Sequence, residues 1–301
     1  MIFVRLMGGL GNQMFQYAAG RRMSLARQTE LVLDDRALLD PAAGDTPRKY
    51  ELGAFGVKAR LVTEDERAQL ALFETGPLGR IRGRLFSLVA GRARIERVVQ
   101  EHGGLTASEF LEIPDHSLLS GYWQSETYFA DIGAVLAGDF SLRQPLSAEG
   151  KELHRQIQDS EAVALHVRRG DYVTNPRARA CHGLLPPAYY RRAIARIAEY
   201  QPNARVFVFS DDPHWCRNEL DLSLPAVHVP ARDVSPAEDL WLMSRCRHAV
   251  LANSSFSWWG AWLQRNPDGL VIAPSRWFAD ARRDASRLYC PNWTLMDVDD
   301  D

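Results

Sequence analysis

Short apolar runs alternate with amphipathic stretches along most of this chain. Ile2-Phe-Val-Arg-Leu6 reads as a buried strand. A glycine-rich turn, Met7 to Gln13, separates it from a helical pattern running from Met14 to about Arg27, with Met14, Tyr17, Ala18 and Leu25 roughly on one face. Glu30 to Leu33 reads as the next strand, ending in Asp34-Asp35. The rhythm then weakens. Arg48 to Leu52 predicts a short strand and Glu64 to Leu72 a helix, and Gly121 to Phe129 mixes aromatic and polar residues. A helix is expected over Lys151 to Asp159. From there the alternation is regular: strands at Val163–Val167, Arg205–Phe209, Ala226–Val229, Ala249–Ala252 and Leu270–Ala273. A loop is expected through Asn175, Pro176 and Gly183, and a helix from Ala188 to Tyr200 opens on Pro186-Pro187. Ser210-Asp-Asp-Pro213 opens another helix, Ser235-Pro-Ala-Glu238 matches a capping box, and Asn253-Ser-Ser255 caps the helix that carries Trp258, Trp259 and Trp262. Strands alternating with helices predict an α/β fold with parallel sheets. The architecture expected is two Rossmann-like domains facing each other across a cleft, residues 1–155 and 156–301.

Composition narrows the function classes. With 301 residues, 46% hydrophobic and 25% charged, the chain suits one large or two ordinary globular domains. A net charge of −2 offers no global basic field for nucleic acid, and no RNA-binding module is recognisable. Of the 36 basic residues only Lys49, Lys58 and Lys151 are lysines. So arginine-rich a chain makes any single arginine weak testimony. Six arginines between Gly79 and Val98 (Arg80, Arg82, Arg84, Arg92, Arg94 and Arg97) interleave with Leu85, Phe86, Leu88 and Val89. That segment is a candidate for peripheral membrane or partner contact, with a solvated helix face as the commoner origin of such a pattern. The cysteines, Cys181, Cys216, Cys246 and Cys290, show no metal-ligand spacing and read as reduced thiols. No apolar run reaches the ~20 residues that span a bilayer, so a cytoplasmic protein is expected, with peripheral contact at the inner membrane face left open.

Three segments fall at strand C-termini, the edge where open α/β sheets bind ligands. The first is His166-Val-Arg-Arg-Gly-Asp171, where Arg168 and Arg169 bring planar donor forks suited to phosphate. An arginine pair alone would more often be a surface ion pair; a His, two Arg and an Asp at one strand mouth favour a site. The second is Ser210-Asp-Asp212, which can bind a base or ribose, hold a metal, or cap a helix. The third, Asn253, Ser254 and Ser255, places hydroxyls at a helix N-terminus, an anion site. Together they read as a nucleotide diphosphate site, with metal ranked lowest. In the first half, Gly8, Gly9 and Gly11 permit close backbone approach to a ligand, and Asn12 and Gln13 add polarity. The dinucleotide fingerprint fails, because Met14 stands where its last glycine belongs.

Several segments, in order, resemble bacterial α-1,2-fucosyltransferases of glycosyltransferase family 11. They are Gly8-Gly-Leu-Gly-Asn-Gln-Met-Phe-Gln-Tyr-Ala18, Arg48-Lys-Tyr-Glu-Leu52, Gly121-Tyr-Trp-Gln-Ser-Glu126, His166 to Asp171, Glu238-Asp-Leu-Trp-Leu-Met243, Ala252 to Leu263 and Ile272-Ala-Pro-Ser-Arg-Trp-Phe278. The resemblance implies a GT-B-type fold and inverting transfer of L-fucose from GDP-fucose to the 2-hydroxyl of a terminal galactoside, with no metal or other cofactor. It implies Arg168 on the β-phosphate, His166 and Asp211 near guanine or ribose, Ser254 on phosphate, and Arg169 and Asp171 orienting the site. Asn12 would approach fucose and acceptor, and Asp171 and Glu126 are candidate bases. Another GDP-sugar as donor, or a non-catalytic nucleotide- or sugar-binding module, are the competing readings.

Overall fold

The computed structural model describes residues 1–39, 47–74, 95–101, 105–231, 234–264 and 266–299; of residues 72–74 it describes the backbone alone. The arginine-rich segment lies outside these from Arg80 to Arg94. The chain forms two compact units, Met1–Phe140 and Ser141–Asp301. The division falls before residue 155 because helix Ala148–Gln158 joins the second unit's core through Leu153 and Ile157.

In the first unit the described strands are β1 (Ile2–Arg5), β2 (Leu31–Asp34), β3 (Arg60–Leu61), β4 (Arg97–Gln100) and β5 (Ser117–Ser120). They pair in parallel in the order β3-β2-β1-β5-β4. The first helix, Leu10–Arg27, starts earlier than its apolar periodicity predicts, with Gly9 as N-cap. The expected loop residues Gly11, Asn12 and Gln13 are therefore its first turn. Gly20 lets this helix lie on the sheet: a Cβ there would sit 2.4 Å from Val4 Cγ2 and 2.8 Å from Leu31 Cδ1. Arg48 to Leu52 is not a strand. The Gln13 side chain takes the place of a strand partner, its Nε2 donating to Lys49 O at 2.8 Å and its Oε1 accepting from Glu51 N at 3.0 Å.

The second unit holds β6 (Ala162–Val167), β7 (Arg205–Ser210), β8 (Ala226–His228), β9 (His248–Val250), β10 (Val271–Pro274) and β11 (Thr294–Met296). All pair in parallel, in the order β11-β10-β9-β6-β7-β8. Every residue of β6 is buried, as a strand covered on both faces requires. Val163, Leu165 and Val167 pack with Tyr189, Tyr190, Ala193 and Ile197 of helix Pro187–Tyr200. Ala162 and Ala164 face the other way, toward Leu153, Ile157, Leu242 and Met243. The expected capping box at Ser235 does not form, although Ser235 is the N-cap of the helix. Ser235 Oγ accepts from Ala237 N, while the Glu238 carboxylate accepts from Ser147 N (2.9 Å) and Ser147 Oγ (2.7 Å). Glu238 thereby ties one helix to the N-terminus of another, where a negative charge is favoured.

Chain order reverses in the second sheet between β6 and β9. β6 is followed in space by β7 and β8 on one side, and by β9, β10 and β11 on the other. Such a switch point opens a crevice beyond the strand C-termini.

Candidate functional site

The strands leading to the three segments lie side by side. Val167 is level with Ser210 across the β6–β7 ladder, and Leu165 with Val250 across β6–β9. The chain leaves β6 as Arg168-Arg169 and enters a short helix, Gly170–Thr174. Arg168 lies between two carboxylates, with Nη2 2.6 Å from Asp171 Oδ1 and Nη1 2.8 Å from Asp211 Oδ2. Burial alone would lower the pKa of this guanidinium; the charges of Asp211 and Asp171 outweigh that and hold it above its ordinary value. Arg169 donates from its backbone N to Asp211 Oδ1 (2.8 Å) and from Nε to Asp212 Oδ2 (3.0 Å), and its guanidinium lies 4.0 Å from the centre of the Trp215 ring. Asp211 thus fixes both arginines. Gly170 makes room for it, since a Cβ there would stand 2.5 Å from Asp211 Oδ2.

Asp212 is the helix cap that one reading of the aspartate pair expected: it accepts from Trp215 N at 3.1 Å at the start of helix Pro213–Glu219. Burial would raise its carboxyl pKa, but the Trp215 N–H and Arg169 hold it below its ordinary value. Among the described residues no three His, Cys, Asp or Glu side chains gather as a metal-ligand set.

On the β9 side, Ser254 caps helix Ser255–Trp262, its Oγ accepting from Phe256 N at 3.3 Å. Asn253 does something different. Its Nδ2 donates to His182 O (2.7 Å) and to Trp277 O (3.2 Å), so its amide holds two chain segments together. The Tyr172 hydroxyl donates to Asn253 O at 3.1 Å, joining the β6 and β9 mouths. The tryptophans that follow are structural: Trp258 and Trp259 are fully buried, and Trp258 Nε1 donates to Leu288 O at 2.6 Å.

Two histidines complete the edge. His166 is 5% exposed, and burial, then the nearby Arg168 charge, push its pKa down to about 3, so the ring is neutral. Its Nδ1 is buried with no hydrogen-bond partner. His182 stacks on Tyr172 with centroids 4.7 Å apart, and burial, then Arg283, push it down to about 4. The expected loop that carries His182 is in fact helix Pro176–His182, capped by Asn175, whose Oδ1 accepts from Arg177 N and Ala178 N. Asn175-Pro176 was its signal, an N-cap followed by proline at the first helical position. Neither Tyr172 nor His182 stands out in the sequence, because only the fold brings them together.

The remaining candidates belong to the first unit. Asn12 Oδ1 accepts from Gln124 Nε2 at 2.8 Å, so the glycine-rich turn with Gly9 and Gly11 is joined to the aromatic segment. In that segment Trp123 is fully buried in the left-handed region (φ 56), with Glu101 Oε2 accepting from Tyr122 N (2.7 Å) and Trp123 N (2.8 Å). Trp123, Tyr128 and Phe129 are core, whereas Tyr122 is exposed. The structure thus brings His166, Arg168, Arg169, Asp171, Asp211, Asn253, Ser254 and Ser255 to one sheet edge, and Gly9, Gly11 and Asn12 to another.

Comparison with known proteins adds a family to this geometry. The model of glycosyl transferase family 11 matches residues 105–297. The O-antigen biosynthesis glycosyltransferase WbnK of Escherichia coli is 34% identical over 96% of this chain and 98% of its own length. An alpha-1,2-colitosyltransferase of Escherichia coli is 34% identical over 92% of each chain. The mouse galactoside 2-alpha-L-fucosyltransferase Sec1 is 29% identical over 51% of this chain and 44% of its own. Among solved structures, fucosyltransferase NodZ from Bradyrhizobium superposes with a TM-score of 0.48 at 14% identity, over 86% of this chain and 91% of that one.

Proposed function

The chain belongs to glycosyl transferase family 11 and is a glycosyltransferase, and from that premise we propose that it transfers L-fucose, with inversion, from GDP-fucose to the 2-hydroxyl of a galactose-terminated glycan. The observation that carries this reading is Arg168, a guanidinium fixed by two carboxylates at the switch-point edge of the second sheet.

Breaking the sugar–phosphate bond builds negative charge on the departing diphosphate. Preorganised donors aimed at developing charge are commonly the largest catalytic effect. Arg168 hydrogen-bonds Asp171 through Nη2 and is ion-paired with Asp211 through Nη1, and its remaining N–H groups are its means of holding the β-phosphate. Ser254 and the N-terminus of helix Ser255–Trp262 add donors and a positive helix end. His166 and Asp211 are assigned to the guanosine, and Arg169 to holding Asp211 and Asp212 in place. Asp171, ion-paired to Arg168, is assigned to positioning the arginine rather than to accepting the acceptor's proton. Gly9, Gly11 and Asn12 are assigned to the acceptor side.

Product analysis with GDP-fucose and lactose as acceptor tests the reaction: an α-1,2-linked fucoside is expected, and no transfer with GDP bound normally sinks it. Arg168→Ala should cost roughly 10²–10³ in kcat, as the loss of an oxyanion-type donor does. Because protein donors meet the diphosphate charge in this scheme, chelator treatment should leave the rate unchanged; a loss restored by Mg²⁺ would show that a metal shares that work.

The same transfer with colitose as the sugar is a second reading, favoured by the colitosyltransferase relative. Competing the two GDP-sugars at equal concentration separates them, and GDP-mannose tests the wider class of donors.

A further inference from the structure

At the opposite edge of the second sheet, where the strands begin, a pocket of about 340 Å³ lies between the C-terminal end of helix Pro187–Tyr200 and the starts of β9, β10 and β11. Tyr200, Gln201, His248, Asp268 and Thr294 line it with Arg196. None of these belongs to the nucleotide edge, which is at the other end of the same strands.

His248 is 3% exposed. Its Nδ1 accepts from Leu270 N at 3.0 Å, which puts the neutral ring's proton on Nε2. That Nε2 is buried at the pocket wall with no hydrogen-bond partner. A buried donor without an acceptor is uncommon and calls for a partner. Tyr200 is 60% exposed, unusual for so large a ring, and the Arg196 guanidinium 4.7 Å from its centre steadies it. Arg196 is itself ion-paired with Glu199, so its charge is already compensated. Asp268 repels anions, and the neutral imidazole adds no charge. What remains is an exposed aromatic face beside acceptors and donors of several kinds: a carboxylate, an amide, a hydroxyl and an imidazole N–H.

A ligand with an apolar C–H face and a rim of uncharged hydroxyls fits this set. We propose that the pocket is a second carbohydrate site, binding one hexopyranose ring of a neutral glycan on Tyr200, with its hydroxyls held by Gln201, Asp268, Thr294 and His248. A glycan-processing protein gains from such a site, because a second contact on the same polymer raises the effective concentration of the first. The proposal does not depend on which sugar the nucleotide edge transfers.

Hydrogen exchange on the full chain, with millimolar methyl β-galactoside and methyl α-glucoside as probes and sulfate as the anion control, localises the binding. At least one hexoside is expected to slow exchange in peptides covering 196–201 and 268–296, and sulfate is not. That protection should be lost in Tyr200→Ala and in Thr294→Ala, both exposed positions, while exchange at 166–171 stays as in the parent chain. Protection of these peptides by sulfate alone, no protection by either hexoside, or protection unchanged in both variants would each overturn the proposal.

Discussion

Arg168 can be fixed only because a residue without a side chain stands beside it. Asp211 Oδ2 occupies the space that a Cβ on Gly170 would need. Gly170→Ala should therefore displace the carboxylate that receives both Arg168 and the Arg169 N–H. Losing one charge-assisted bond of about 1.5 kcal/mol weakens GDP binding roughly tenfold. Isothermal titration with GDP checks this, and unchanged affinity would show that Asp211 does not govern the arginines. At this scale the sequence was informative about which residues gather and less so about what each does. Arg168, Arg169, Asp171 and Asp211 could be selected from their chemistry and their place at strand ends. That Asp211 serves both arginines, or that Asn253 spends its amide on two carbonyls, depends on chain segments far apart in sequence.

The elements carry the next set of constraints. Asn253 links the β9 mouth to helix Pro176–His182 and to Trp277 through two N–H···O bonds. Asn253→Asp keeps the shape but sets a carboxylate against two carbonyl oxygens. It should destabilise the protein by about 3 kcal/mol, the cost of two bonds lost and two acceptors left unmet. Urea unfolding measures it, and a change below about 1 kcal/mol would mean the loop is held by other contacts. Most elements were legible from periodicity and punctuation, especially in the second unit, where Pro213 and Pro236 mark helix starts. The errors have physical causes. Arg48 to Leu52 has strand-like residues but no sheet neighbour, because Gln13 supplies its hydrogen bonds. Two-residue β3 and half-exposed β4 are too short or too polar to announce themselves. The capping-box pattern at Ser235 was answered by a distant Ser147 instead.

At the scale of the whole molecule the buried histidines make stability depend on pH. His166 and His182 have folded pKa values of about 3 and about 4, below the ordinary 6.5. The unfolded chain therefore takes up protons first as pH falls. Stability is fully present above pH 6.5 and declines from there toward pH 4, by at most about 2.7 kcal/mol per pH unit for two groups. Thermal unfolding should show Tm falling between pH 7 and pH 5, with a shallower fall in His166→Asn. Equal slopes for the two proteins would mean that His166 is protonated in the folded state as readily as in the unfolded one.

The sequence by itself determined the α/β class, the parallel strands of the second half and the residue types at their ends. These rest on local pattern: apolar runs of strand length, caps, prolines and glycines, all read within a few residues of one another. It also carried the family, since the motifs that define it are contiguous. Tertiary structure alone decided the strand order, and with it that His166–Asp171 and Asn253–Ser255 flank a switch point. It decided which carboxylate holds which arginine, and it built the pocket around His248 from a helix end and three strand starts. Hydrogen bonds and ion pairs between residues on separate elements leave no periodic trace in a chain, because their partners are fixed by how whole elements pack.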